Sequence, residues 1–185
     1  MDRPVIISRK ILNDLEFACL FTLSGYDMMD DVLLPYLATE AAGESSNGLQ
    51  LMVVVVIQHG PRYLVVEDGG TYSMGLVREC FQSGNGPPNS LCNIAVPAAQ
   101  TLIEYYSAGI KYTMDALGLM QCEGQGAGRE WIGCLFLAET SREIESRTIG
   151  AKNISMMSIA EINERLGADW GLDIATLART CSGLS

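Results

Sequence analysis

The stretch "LQLMVVVVIQ" (49–58) constrains the fold more than any other part of the chain. Residues 53–57 are five β-branched side chains in succession. Such side chains lose rotamer freedom in a helix and fit the pleated surface of a strand. A run with no polar alternation implies a strand buried on both faces. "HGPR" then makes a tight turn, and "YLVVE" (63–67) returns as the second arm of a hairpin.

The flanking sequence predicts elements to cover that sheet. Residues 8–23 read as a helix, with Ile11, Leu15, Ala18 and Cys19 on one face and Gly25 as its stop. A short strand near 32–39 carries Pro35, which suits an edge position. "GESSNG" (43–48) is a turn cluster. "SMGLVRECF" (73–81) reads as a short helix and "QSGNGPPNS" as a loop. Pro97 suits the first turn of a helix that buries Ala99, Leu102, Ile103 and Tyr106 and ends at Gly109. Residues 110–122 predict a second hairpin, turning at Asp115-Ala116. For 129–147 the length and charged end favour a helix, although "EWIGCLFLA" also fits a strand. Ser158 and Glu161 form a capping-box pattern, with Met157 and Ile162 spaced as a hydrophobic staple, so a helix starts there and stops at Gly167. Asp173 can cap a last helix over 174–181.

The turn between the first hairpin and the segment after it, Glu67-Asp68-Gly69-Gly70-Thr71, bears most directly on function. Sugar kinases and actin-like ATPases carry an Asp-x-Gly-Gly-Thr turn whose backbone N–H groups meet phosphates. Glu67 stands here where that pattern needs Asp, and no Gly-Lys-Ser/Thr follows to make a P-loop. The structural alternative is a turn in which the glycines supply positive φ while Asp68 or Thr71 satisfies open N–H groups at a helix start.

"LVVEDGGTYSMGLV" also resembles the strand, Asp-Asp-Gly-Tyr-Thr turn and helix of a bacterial and prophage domain family with no established activity. Glu67-Asp68-Gly69 stands for Asp-Asp-Gly, and Gly70 replaces the aromatic residue. "LIEYYSAGIKY" (102–112) resembles that family's later helix and strand, and the similarity covers about residues 27–147. It implies carriage on phages or mobile elements.

Composition narrows the remaining classes. Of 185 residues, 48% are hydrophobic and 18% charged, enough apolar material for a core. The net charge of −10 repels nucleic-acid phosphates and anionic membranes. Six cysteines, at 19, 80, 92, 122, 134 and 181, form no Cys-x-x-Cys pair, and His59 is the only histidine. That spacing argues against structural zinc and suits reduced thiols in the cytosol. "MDRPVIISRK" does not read as a leader, and no apolar run reaches a membrane-spanning length.

The other constellations each have a plain structural reading. His59 in the turn is exposed or else the base of a nucleophile. Cys80 beside Arg78 is a core residue or else an activated thiol. The tail lacks the basic face of a DNA-reading helix. Asp27, Asp30 and Asp31 flank Met28 and Met29. This knot lacks the spacing of a calcium loop, and is either a solvated loop or an acidic surface with adaptable apolar contact.

The sequence therefore predicts an α+β domain over 1–150, an antiparallel sheet from two hairpins covered by helices. A helical C-terminal extension over 151–185 packs on that core or on a dimer partner. The functional expectation is a small acidic cytoplasmic interaction protein of phage or mobile-element origin. It would bind and inhibit a host protein with a basic surface, such as a defence-system nuclease, through Asp27, Met28, Met29, Asp30 and Asp31. Two alternatives stay open: a small-ligand or nucleotide-binding enzyme using the Glu67, Asp68, Gly69, Gly70 and Thr71 turn, and an immunity protein against a basic toxin. No catalytic set, metal or cofactor is expected, nor nucleic acid or a membrane as partner.

Overall fold

A computed structural model describes residues 3–14, 20–21, 29–37, 48–69, 71–74, 76–80, 82–83, 90–122 and 131–166. Its strands are β1 (Arg3–Pro4), β2 (Ile6–Ile7), β3 (Leu20–Phe21), β4 (Leu49–His59), β5 (Arg62–Asp68), β6 (Thr71–Met74), β7 (Leu76–Cys80), β8 (Gln82–Ser83), β9 (Tyr112–Cys122), β10 (Trp131–Thr140), β11 (Arg147–Ile149) and β12 (Lys152–Ser158). Its α-helices are α1 (Ile11–Asp14), α2 (Cys92–Ser107) and α3 (Ile159–Leu166). The chain packs as two units. One holds Met1–Val54, Arg78–Thr101 and Ala116–Phe136; the other holds Val55–Val77, Leu102–Asp115 and Leu137–Ser185.

In the first unit, β2 pairs antiparallel with the start of β4, Ile6 opposite Gln50 and Ile7 opposite Leu49. β3 pairs antiparallel with β9, Leu20 opposite Leu119. Leu49, Leu51, Val53 and Val54 have no exposed surface, as a run buried on both faces requires. Met29–Leu33 forms a π-helical turn and Leu34–Tyr36 a 3₁₀ turn. Asp30 in the first of these reaches the start of α2. Its carboxylate accepts from the Ser90 hydroxyl at 2.7 Å and from the N–H groups of Leu91 at 2.5 Å and Cys92 at 3.3 Å. Those N–H groups would otherwise lack partners.

In the second unit, β4 and β5 form the predicted hairpin, His59 opposite Arg62. Gly60 at φ +53° supplies the left-handed residue of the two-residue turn, and Pro61 takes the other position, which suits a type II′ turn. β5 then pairs antiparallel with β6 on one side and β12 on the other. β12 pairs with β11 through the turn at Gly150, φ +62°. The Thr140 hydroxyl donates to the Gln58 carbonyl at 3.1 Å, so the C-terminal ends of β10 and β4 lie together and the strands run parallel. Ser141 N–H donates to the Lys111 carbonyl at 2.8 Å, joining the end of β10 to the start of β9, so that pair is antiparallel. The α+β class holds, with a mixed sheet in place of a purely antiparallel one.

Several element assignments change. Of the segment 73–81, expected as a helix, residues 73–74 lie in β6 and 76–80 in β7, while 75 and 81 lie outside the described residues. Pairing of β6 with β5 and of β7 with β4 gives these backbone groups partners that a weak helix propensity does not outweigh. Within 110–122, Tyr112–Cys122 form one eleven-residue strand, not a hairpin. Within 129–147 the apolar run is β10, and residues 143–146 after it are neither helix nor strand. Of the predicted 8–23 helix, Ile11–Asp14 is helical as α1 and Leu20–Phe21 is a strand, while 15–19 and 22–23 lie outside the described residues. Over 32–37 the predicted 32–39 strand is replaced by the two turns and a bridge from Leu37 to Ile7, and 38–39 lie outside the described residues. α2 starts at Cys92, with Pro97 inside it, because Asp30 fixes the start from a distant segment. The expected helix at 174–181 lies outside the described residues.

Candidate functional site

The site begins with strand alternation in the second unit. Neighbouring residues on a strand point to opposite faces, and directly opposed residues share one. Val65 and Glu67 on β5 face Ser155 and Asn153 on β12, and Thr148 on β11 faces Asn153. These side chains therefore share one face of the three strands. They line a cavity of ≈ 320 Å³, to which α3 contributes Arg165. A second cavity of ≈ 660 Å³ shares Ser155, Met157 and Arg165 and adds Glu161 and Glu164 of α3.

Polar groups of the first cavity are joined in a chain. The Thr148 hydroxyl donates to Asn153 Oδ1 at 2.9 Å, which turns the amide nitrogen toward Glu67. Asn153 Nδ2 then donates to Glu67 Oε2 at 3.5 Å. Val65 and Met157 supply buried apolar surface beneath these groups.

On the opposite face, Asp68 and Lys152 face each other, and Lys152 Nζ lies 3.8 Å from Asp68 Oδ2. Burial raises the Tyr106 phenol above its ordinary pKa, an effect that the nearby Lys152 opposes. Arg147 Nη2 donates to the Tyr106 carbonyl at 2.9 Å near the end of α2.

The position of α3 is fixed by Arg62. Its Nη2 donates to the Met156 carbonyl at 2.5 Å, its Nε lies 3.0 Å from Glu143 Oε1, and Nη2 lies 3.6 Å from Glu161 Oε2. The Glu161 carboxylate also accepts from Ser158 N–H at 2.7 Å and from its hydroxyl at 2.8 Å. These bonds from Ser158, backbone first, hold Glu161 below the ordinary carboxylate range.

The sequence-predicted residues separate. Glu67 lines the first cavity. Gly69, at φ +57°, turns β5 into β6, with Asp68 opposite Thr71. The turn therefore joins strand to strand, and Asp68 pairs with Lys152 instead of capping a helix. Gly70 lies outside the described residues. Neither Asp68 nor Gly69 is among the described residues that line the cavity, and a tight hairpin takes the place of the phosphate-turn geometry.

The acidic knot also divides. Asp27 and Met28 lie outside the described residues. Met29 is fully buried and offers no contact surface, Asp30 caps α2, and Asp31 is exposed. His59 ends β4, and its Nδ1 donates to the Thr140 carbonyl at 2.8 Å. The Cys80 backbone lies in β7, not a helix. Thr148, Asn153 and Arg165 were not singled out by sequence, although "TIGAKN" carries a hairpin signal, a Gly-containing two-residue gap between short β-type runs.

Among the described residues no three His, Cys, Asp or Glu side chains come together to hold a metal ion. No helix among them is long and apolar enough to cross a membrane.

No family model matches the chain, and no curated protein matches it. Solved structures do. Tm1382, named as a candidate Nudix hydrolase, is similar at a TM-score of 0.62 and 16% identity, over 88% of this chain and 88% of that one. A NUDIX-family hydrolase from Clostridium perfringens gives 0.47 at 16% identity, over 70% of this chain and 95% of that one. The C. elegans Ap4A hydrolase gives 0.49 at 11% identity, over 73% and 97%. The likeness to Tm1382 overturns the expectation of a phage or mobile-element inhibitor of a host defence protein. That expectation leaned on acidity, the missing catalytic sets and the family resemblance, and acidity speaks to solubility and association and not to fold.

Proposed function

We propose that this chain is a hydrolase-type enzyme acting on a small phosphorylated molecule, such as a nucleotide, held in the cavity on β5, β11, β12 and α3. The supporting observation is the likeness to Tm1382 across 88% of both chains. A concave site with an apolar floor and a few convergent polar groups is the usual form of a small-ligand site, and the ≈ 320 Å³ cavity has that form. A cytoplasmic location belongs to the same proposal and rests on the cysteine spacing.

Hydrolysis at phosphorus commonly draws on a divalent cation held by carboxylates. The described residues do not fit such an ion. The first cavity has one carboxylate, Glu67, and no metal-holding group of three forms among them. No step is therefore assigned to a metal. The chain's own residues supply ligand contact through Glu67, Asn153, Thr148 and Arg165, while Val65 and Met157 exclude water from the floor.

The test is turnover. The purified full chain is incubated with a panel of phosphate esters and nucleoside phosphates, with and without Mg²⁺ or Mn²⁺, and phosphate or mononucleotide release is followed. Release above the heat-denatured control is expected for at least one compound. A panel with no release under any condition overturns the enzymatic reading.

A further inference from the structure

We propose that the ≈ 320 Å³ cavity recognises a polyol phosphate, with Glu67 accepting hydroxyl donors and Arg165 taking the phosphate. This deepens the reading of a small phosphorylated ligand and rests on it.

Glu67 enters from β5 and Arg165 from α3, and Arg147, whose Nη2 donates to the Tyr106 carbonyl, also lines the cavity, so the lining carries charges of both signs. Inorganic phosphate would be attracted by the arginine and repelled by the carboxylate. A simple cation would meet the reverse. A ligand that carries an anionic group and, a few bonds away, neutral hydroxyl donors satisfies both.

The hydrogen-bond chain fixes what Glu67 can read. Thr148 donates to Asn153 Oδ1, so the amide presents N–H toward Glu67. An ionised carboxylate only accepts hydrogen bonds. Asn153 reaches one oxygen, Oε2, at 3.5 Å. Hydroxyls of a ligand are the complementary donors for that carboxylate, an arrangement that nucleotide sites use for ribose. Ser146 and Ser155 also line the cavity and can give or take a hydrogen bond. Val65 and Met157 offer an apolar surface for the carbon face of a sugar. Guanidinium meets phosphate through paired N–H groups, which suits Arg165 to the anionic end.

A free sugar phosphate and the ribose phosphate of a nucleotide share this chemistry, and the test separates them. Binding of ribose 5-phosphate, ribose, inorganic phosphate and AMP to the full chain is measured by calorimetry, with backbone NMR shifts to locate the ligand. Ribose 5-phosphate is expected to bind at least about tenfold tighter than ribose or phosphate alone, the factor for one hydrogen bond to a charged group. Glu67→Gln and Arg165→Ala are each expected to weaken it by about the same factor, with Arg165→Lys intermediate. Circular dichroism verifies that each variant folds. AMP tighter than ribose 5-phosphate assigns the site to nucleotides; AMP weaker assigns it to free sugar phosphates.

Equal binding of phosphate and ribose 5-phosphate, unchanged affinity in both variants, or no binding at all overturns the proposal. The enzymatic reading fails separately. Binding without turnover of any panel compound removes that reading and leaves this one. Turnover indifferent to Glu67 and Arg165 does the opposite.

Discussion

Asp30 shows how one side chain's role depends on what reaches it. In sequence it belongs to an acidic knot with Asp31. In the fold it closes the open N–H groups at the start of α2, while Asp31 stays exposed. Loss of a cap costs about 1–2 kcal/mol, and an exposed substitution away from such a feature stays within roughly 0.5 kcal/mol. Asp30→Ala should therefore lower stability to urea by the larger amount and Asp31→Ala by the smaller. Equal effects would contradict the capping role. Gly69 makes a second residue-scale case. Its φ of +57° carries β5 into β6, and the position has open space for a Cβ. Any loss on Gly69→Ala then comes from backbone conformation, about 1–2 kcal/mol, and not from a clash. Urea denaturation of Gly69→Ala checks it, and a neutral result would mean that the turn relaxes freely.

At the scale of elements, α3 is held by charge-assisted bonds that respond to pH. Ser158 donates twice to Glu161, and Arg62 lies against the same carboxylate. The folded pKa of Glu161 is lowered from an ordinary 4.5. Its contribution is therefore present above that value and lost as pH falls through the lower folded one. Amide exchange over 159–166 should quicken on acidification in that window, and Glu161→Gln should remove that pH dependence. A variant with the same pH profile as the parent would dismiss the carboxylate's role. This helix was readable in sequence because its capping box lies within four residues. β4 and the return strand β5 were readable for a similar reason: a β-branched run and a Gly-Pro turn are local signals. β10 was misread because an apolar run of its length fits either a helix or a strand, and one of its partners, β4, lies far off in sequence. β6 failed likewise, since its pairing with β5 is not encoded in "TYSM". Of the candidate site, only Glu67 was legible. Asn153, Thr148 and Arg165 meet it through the register of β5, β11 and β12, which no single stretch displays.

The whole molecule sets long-range charge against a few local pairs. Its net charge is −10 over 185 residues, and self-repulsion of that kind opposes the compact state. The ion pairs among the described residues, Arg62 with Glu143 and Glu161, Lys152 with Asp68 and Lys10 with Asp14, have partly exposed partners. Exposed pairs contribute about 0–1 kcal/mol each and are themselves weakened by salt. Two opposed effects follow when salt is added: the pairs lose a little, and the unbalanced negative charge is screened. Charges more than a Debye length apart, about 10 Å at 0.1 M, are the ones that screening relieves most, and ten unbalanced charges spread over a chain of this size are mostly of that kind. Repulsion should therefore dominate. Raising sodium chloride from about 0.05 to 0.5 M should increase the melting temperature by about 2–4 °C, the shift that roughly 1 kcal/mol makes in a domain of this length. A melting temperature that falls with salt would show that the surface pairs outweigh the net charge, and would move attention to Arg62, which joins Glu143 and Glu161 at the foot of α3.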